Sequence, residues 1–294
     1  MKGKYTVNEV EERTSVPAST LRQWERRYGF PNPERSESGY RLYSEGDLQS
    51  INAMKRHIDD GIPASRAAEL VRRMNPAAKG PRPLKEMQQE LVNALLNLDE
   101  DRADTVLSEA HSLHPVEAVM FELIQPALVQ IGQMWHDGII NTTIEHYSSS
   151  YIYGRLRALL SLSSNIKTAP AVIVACAPTD QHELGPLMLS VALRRAGYRV
   201  YYVGANTPVS DLFEMSNQVM PIAIMLSAST AKAAEKLIEE QHFFRNVSPH
   251  IIFGGPAFNE NPELARTLGG TYLAEDIPKS LEKFERIVQK VKTS

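Results

Sequence analysis

The chain has 294 residues, of which 43% are hydrophobic, and a formal net charge of −3. That length suits two or three domains with ordinary cores, and no apolar run approaches the ~20 residues that a membrane helix requires. The start, Met1-Lys2-Gly3-Lys4-Tyr5, lacks an apolar signal core, and the single Cys176 cannot form an internal disulfide or a Cys-rich metal site. Both features argue against secretion and predict a cytoplasmic protein with one buried structural thiol. The weak net charge neither suggests nor excludes a nucleic-acid partner, because a local basic face can sit within an acidic total.

Thr6-Val7-Asn8-Glu9 has capping-box spacing and predicts a short helix to residue 13; Pro17 then suits the first turn of a second helix running to about residue 27. On that second helix Leu21, Trp24 and Tyr28 share one face, while Ser19, Arg22, Gln23 and Arg26 share another. Residues 29–43 form a turn-rich hairpin carrying Arg35, Tyr40 and Arg41. Ser44-Glu45-Gly46-Asp47 predicts a further helix start, and Gly61-Ile62-Pro63 closes that helix and opens one more. Two short helices with a tight turn suit a DNA major groove, and a wing beside them suits phosphate contacts. An amphipathic surface helix would be the reading if the second helix stood alone. The run Leu21-Arg22-Gln23-Trp24-Glu25-Arg26-Arg27-Tyr28-Gly29, with Ser38-Gly39-Tyr40-Arg41-Leu42-Tyr43, resembles the winged helix-turn-helix of MerR-type regulators over residues 5–73. The resemblance implies that Arg22, Gln23, Arg26 and Arg27 belong to a recognition helix, with Arg35, Tyr40, Arg41 and Tyr43 on the wing.

Residues 75–83 are rich in Pro and small side chains, the composition of a linker. Apolar positions at helical spacing then predict four helices over residues 84–98, 103–113, 116–135 and 143–162, with Pro126 kinking the third. Asp137-Gly138 should break that third helix, and Asn141 or Thr142 should cap the fourth. Between them lie Trp135, His136, Glu145 and His146. Glu145 could complete a capping box and Trp135 could fill the core. Alternatively, an indole, two histidines and an acid beside one inter-helix turn could form a lid over a planar cofactor.

The remaining chain alternates strands (171–176, 199–203, 221–227, 250–254, 270–273) with helices (184–196, 210–219, 231–241, 262–267, 278–291), which predicts a doubly wound parallel sheet. The first strand is followed by Pro178-Thr179-Asp180-Gln181-His182-Glu183-Leu184-Gly185. In such a sheet, ligands bind outside the carboxyl ends of strands. A neutral imidazole there can ligate a metal through one nitrogen while a carboxylate fixes the other, roles that suit His182 and Asp180. Gly185 would let a bulky group approach the start of the helix. Ser227 and Gly254-Gly255 end later strands at the same edge. His57, His111, His114, His242 and His250 have no constellation around them and read as surface or structural.

Asp180-x-His182-x-x-Gly185 with Ser227 and Gly254-Gly255 resembles the cobalamin-binding domain of corrinoid proteins. That resemblance implies His182 as the lower cobalt ligand and a slot for the dimethylbenzimidazole tail beside Ser227 and the glycine pair. Trp135, nine residues and then Glu145-His146 is similar to the pattern of the CarH/LitR light-responsive regulators, which bind adenosylcobalamin. It implies Trp135 packing against the upper adenosyl group, Glu145 bonded to it, His146 lining the same face and His136 as the upper ligand after photolysis. The expected architecture is multidomain: an α-helical winged helix-turn-helix (1–75), a linker (76–83), a four-helix bundle (84–165) and an α/β flavodoxin-like, Rossmann-like sheet domain (170–294). The expected function is a repressor that is a dimer of dimers on double-stranded operator DNA in the dark and comes apart in light. Two other classes fit parts of the chain: a corrinoid methyl carrier, which has no evident need for Arg22, Gln23 and Arg26 on one helix face, and a MerR-type repressor that works without cofactor.

Overall fold

The structure, a computed structural model, describes residues 4–36, 39–74, 82–244 and 250–293. The chain divides into two compact units, residues 1–87 with 112–114 and residues 88–111 with 115–294.

In the first unit, α1 (Val7–Thr14) and α2 (Ala18–Tyr28) are followed by a two-stranded wing, β1 (Glu34–Arg35) and β2 (Arg41–Leu42), then α3 (Glu45–Asp59) and α4 (Ala64–Met74). The capping box that Thr6 and Glu9 predict is present, and Ser44 with Asp47 forms a second one at the start of α3. Each such cap satisfies helix amides that would otherwise lack partners. Gly29 ends α2 at φ +62°, the left-handed conformation that glycine adopts most readily. Val10, Leu21, Trp24, Ile51, Met54 and Val71 pack into one core. Most of the predicted linker, residues 75–81, and wing residues Glu37 and Ser38 lie outside the described residues.

The second unit opens with helices α5 (Leu84–Leu96), which begins in the first unit, and α6 (Glu100–Leu113), followed by α7 (Val116–Ala118), a π-helical stretch (Val119–Ile124), α8 (Gln125–His136) and α9 (Thr142–Leu162). Gln88 of α5 bonds Gln130 of α8 at 3.2 Å, and Asp104 of α6 accepts hydrogen bonds from Tyr151 and Arg155 of α9. These bonds tie the bundle at positions away from its apolar stripes. Pro126 lies within a helical run that is continuous from 116 to 136. It follows the π-helical turn, where its missing N–H and its ring leave the carbonyl ladder widened before α8 resumes.

Beyond the bundle run β3 (Ala171–Cys176), α10 (Leu184–Arg195), β4 (Arg199–Gly204), α11 (Val209–Val219), β5 (Ala223–Ser227), α12 (Ala231–Glu239), β6 (His250–Gly254), α13 (Pro256–Glu260), α14 (Glu263–Thr267), β7 (Thr271–Tyr272) and α15 (Ile277–Thr293). The five strands are parallel in the order β4-β3-β5-β6-β7, the flavodoxin-like arrangement. β3 is buried along its whole length, with Val172 and Val174 on one face and Ile173 and Ala175 on the other. Each fully buried Val or Ile contributes about 1.5–3 kcal/mol. The strand order reverses between β3 and β5, so the loops after these two strands flank the crevice where such sheets take ligands. Helix α9 packs directly on α10, which brings the bundle over that crevice.

Candidate functional site

The loop after β3 is held in shape before any ligand arrives. Thr179, at φ +71°, donates its N–H to Asn206 Oδ1 at 2.7 Å, and Asn206, at φ +46°, donates its own N–H to the Asp180 carbonyl at 2.8 Å. Two residues in left-handed backbone thus bracket Asp180, whose side chain is 0% exposed. Its Oδ1 accepts the His182 backbone N–H at 3.0 Å and lies 2.7 Å from His182 Nδ1, while Oδ2 accepts the N–H of Ser229 after β5. Burial alone would raise the Asp180 carboxyl, yet the bonds from His182 and Ser229 outweigh it and hold the group below its ordinary value. The Asp180 hydrogen bond raises the His182 imidazole above its own ordinary value against the opposing effect of burial. With Nδ1 engaged, Nε2 is the nitrogen left to ligate, on a side chain that is 65% exposed. Cys176 lies behind this loop, and burial pushes its thiol up to about 12, in keeping with an inert structural sulfur.

Across the crevice stands the bundle wall. Asn141 caps α9 by accepting the Ile144 N–H at 3.0 Å, so Glu145 is not part of a capping box. Instead Glu145 accepts the Ser149 hydroxyl at 2.6 Å and lies 3.6 Å from His146 Nε2. Trp135 is not core either: it is 46% exposed, with its indole N–H donated to Thr142 Oγ1 at 3.2 Å. Trp135, Glu145 and His146 on one side, and His182 and Gly185 on the other, line a cleft of about 990 Å³. Ser227, Gly254 and Gly255 form its sheet edge, and it runs inward to Val174, Met225, Ile252 and Leu273. A Cβ at Gly185 or Gly254 would enter open space. At Gly255, with φ +93°, a Cβ would stand 2.6 Å from the Ala228 carbonyl oxygen and 2.7 Å from Ser227 Oγ, so only glycine fits. Two predicted residues of this group lie outside the lining: Asp180, which is buried and reaches the cleft only through His182, and His136. His136 is exposed at the end of α8, one residue and about 100° of helix beyond Trp135.

The residues present fit a large planar cofactor that brings its own metal. Among the described residues, no group of three or more His, Cys, Asp or Glu side chains could hold a bare ion. A metal at His182 must therefore arrive with most of its ligands in place, as in a macrocycle, and the half-exposed indole opposite offers a flat surface to such a group. Sequence reasoning missed Asn206 and Ser229, whose partnership with the Asp180 loop spans distant segments. It also missed Glu183, which accepts the hydroxyl of the half-buried Tyr202 at 2.7 Å. Burial first, and then this bond, raise the Tyr202 phenol above its ordinary value.

In the first unit, Ser19, Arg22, Gln23, Arg26 and Arg27 are all exposed on α2, opposite the buried Leu21 and Trp24. Arg35 is exposed on β1, and Tyr40 at the wing is 73% exposed. Arg41 is instead half-buried, with Nε 2.8 Å from Glu25 Oε2, and so clamps the wing to α2. Tyr43 corrects the expectation of a wing contact. Its side chain is 0% exposed in the core, and its backbone pairs with Tyr5, so it anchors the wing and reaches no outside partner.

The MerR HTH family regulatory protein family matches residues 5–74, and two B12 binding domain families match residues 87–160 and 170–276. These matches define a transcription regulator with a MerR-type helix-turn-helix and B12-binding domains. HTH-type transcriptional repressor CarA of Myxococcus xanthus is 30% identical over 270 residues, covering 90% of this chain and 91% of that protein. HTH-type transcriptional repressor CarH of the same organism is 28% identical over 278 residues, covering 90% and 93%. The chain belongs to the family of these CarA- and CarH-type regulators, and is a regulator rather than an enzyme. The structure of the Methanosarcina barkeri monomethylamine corrinoid protein shares the fold, with a TM-score of 0.59 at 16% identity over 70% of this chain and 100% of that one. A cobalamin-type cofactor follows from the B12-binding domains. Among the described residues, no helix is long and apolar enough to cross a membrane.

Proposed function

We propose that this chain is a light-responsive repressor that uses adenosylcobalamin to hold an assembly on operator DNA in the dark. The observation that carries this reading is the pairing of two unlike walls across one cleft: the Asp180-oriented His182 on the sheet side, and Trp135 with Glu145 on the bundle side. When bound, adenosylcobalamin supplies a cobalt–carbon bond that visible light breaks. In this reading His182 holds the cofactor from below, Asp180 and Ser229 fix its ring, and Ser227 with Gly254 and Gly255 borders the tail. Trp135 packs on the upper adenosyl group, Glu145 accepts a hydrogen bond from it and His146 lines the same face. These contacts exist only while that group is present, so its loss removes the differential interaction that a switch needs. His136 would be the residue that holds the cofactor after light, which would require the end of α8 to turn, because it stands outside the cleft lining.

On the DNA side, Ser19, Arg22, Gln23, Arg26 and Arg27 read or clamp the double-stranded operator, with Arg35 and Tyr40 reaching the flanking backbone and Arg41 holding the wing in place. One winged helix makes few base contacts, so linked copies gain effective concentration, and a dimer of dimers in the dark binds where separated copies do not. The test is gel filtration and an operator shift with adenosylcobalamin, each run in the dark and after illumination. A smaller species and a released operator after light are expected. Equal size and equal operator binding in both conditions would overturn the proposal.

A further inference from the structure

We infer that Glu183 is the positioning residue through which the bundle holds the His182 loop in place; this rests on the reading of His182 as the lower ligand and adds what sets its reach. Glu183 follows His182 directly and stands at the start of α10, yet its side chain makes no capping bond to the helix amides. A carboxylate at a helix start is ordinarily favoured near those amides. This one turns the other way. Its Oε2 accepts the Tyr202 hydroxyl from β4 at 2.7 Å, and the same hydroxyl lies 3.4 Å from the Glu183 backbone carbonyl. One phenol thus restrains both the side chain and the peptide that leads out of the loop. Gly204, at φ +104°, leaves room for the carboxylate, since a Cβ there would stand 3.0 Å from Glu183 Oε2.

Helix α9 meets this pair from the bundle side. The Tyr153 hydroxyl lies 3.5 Å from Glu183 Oε2, and the Arg157 guanidinium, one turn further on, sits 5.6 Å from the centre of the Tyr202 ring. The first is a long bond and the second a cation over an aromatic face, so each is weak alone, but both act on the same two residues. Glu145, Ser149, Tyr153 and Arg157 follow one another at four-residue intervals. One stripe of α9 therefore runs from the wall opposite His182 to the end of the loop that carries it, with the Ser149 hydroxyl bonded to Glu145 between them. Asn206 and Ser229 fix the loop before His182, through Thr179 and Asp180, and Glu183 fixes it after. The first set of bonds lies within the sheet domain, whereas the second is shared with the bundle. A bundle that shifts with its upper-face contacts thereby changes the hold on the lower ligand.

The test reads the affinity of the full chain for adenosylcobalamin in the dark, by absorbance. Glu183→Ala and Tyr202→Phe are each expected to weaken binding about tenfold, the lower end of what loss of an outer partner costs, because Asp180 still orients the ring. Glu183→Gln keeps an oxygen for the Tyr202 hydroxyl and is expected to stay within about twofold of the native chain. Tyr153→Phe combined with Arg157→Ala, which leaves the loop's own sequence unaltered, is expected to cost about threefold. In a His182→Ala chain, Glu183→Ala is expected to change nothing further, since a residue that acts through the imidazole has no effect without it. Native affinity in Glu183→Ala, an equal loss with Gln, or native affinity in the Tyr153→Phe and Arg157→Ala pair would each overturn the inference. So would an undiminished loss in the His182→Ala background, the mark of a general disturbance of the cleft. A His182→Ala chain that binds as tightly as the native one would instead overturn the reading of His182 as the ligand, and a native chain that binds no cobalamin would overturn the corrinoid reading. If Glu183→Ala does not fold, Tyr202→Phe, which removes a single oxygen, decides in its place. If His182→Ala binds too weakly to titrate, the contrast between Gln and Ala at Glu183 still decides.

Discussion

Asp180→Asn separates the two tasks of the buried carboxylate. The native side chain, 0% exposed, takes the His182 backbone N–H and ring Nδ1 on Oδ1 and the Ser229 N–H on Oδ2. An asparagine of the same shape keeps one acceptor oxygen for His182 and presents its NH₂ to the Ser229 N–H, setting donor against donor. An orphaned buried amide costs about 1–3 kcal/mol, which sets the expected loss in unfolding free energy. The imidazole also loses the negative charge that raises its basicity, and removal of such an outer partner lowers metal affinity by about 10–100-fold, or about 1.4–2.7 kcal/mol. Adenosylcobalamin titration in the dark, beside urea denaturation of the cofactor-free chain, measures both quantities. Stability falling as expected with cobalamin affinity unchanged would refute the assignment of His182 as the ligand, because the loop would have been disturbed without consequence for the metal.

Gly255→Ala is expected to destabilise the chain by about 2 kcal/mol or more in the same denaturation assay, since its Cβ would stand 2.6 Å from a backbone oxygen at φ +93°. Tyr43→Phe removes a buried hydroxyl that has no hydrogen-bond partner among the described residues, so stability should hold or rise by up to about 1 kcal/mol and operator affinity should not change. Arg22→Ala, by contrast, takes a cation from the exposed face of α2; operator affinity should fall, and if the contact is to a phosphate the slope of log affinity against log salt should shrink by about one, measured by fluorescence anisotropy.

What the sequence disclosed depended on how local each signal was. Pro17 and Gly29 bracket α2 within one residue of where it begins and ends, because a proline and a left-handed glycine act on their own backbone. The capping box at Thr6 and the helix start at Ser44 were legible for the same reason. The Asp180–His182 pair could be read because its members are two residues apart, and the buried β3 because its apolar run is unbroken. The partners that complete these features were not legible. Ser229 lies 49 residues from Asp180, Asn206 lies 27 from Thr179 and Tyr202 lies 19 from Glu183, and periodicity carries no information on which distant loop closes on which. Tyr43 shows the converse error. It ends a hairpin whose tip is exposed, and only the core of Val10, Leu21 and Ile51 beneath it determines that it points inward.

The clamp between Arg41 and Glu25 has a mechanical consequence for the first unit. Because the guanidinium meets both carboxylate oxygens, at 2.8 and 3.3 Å, hairpin and helix form a stiff two-pronged jaw whose span is set before it meets the duplex. If this unit meets operator DNA as proposed, a jaw of fixed span would leave more of the adjustment to the duplex, and base-pair steps that yield easily would be favoured even where no side chain touches them.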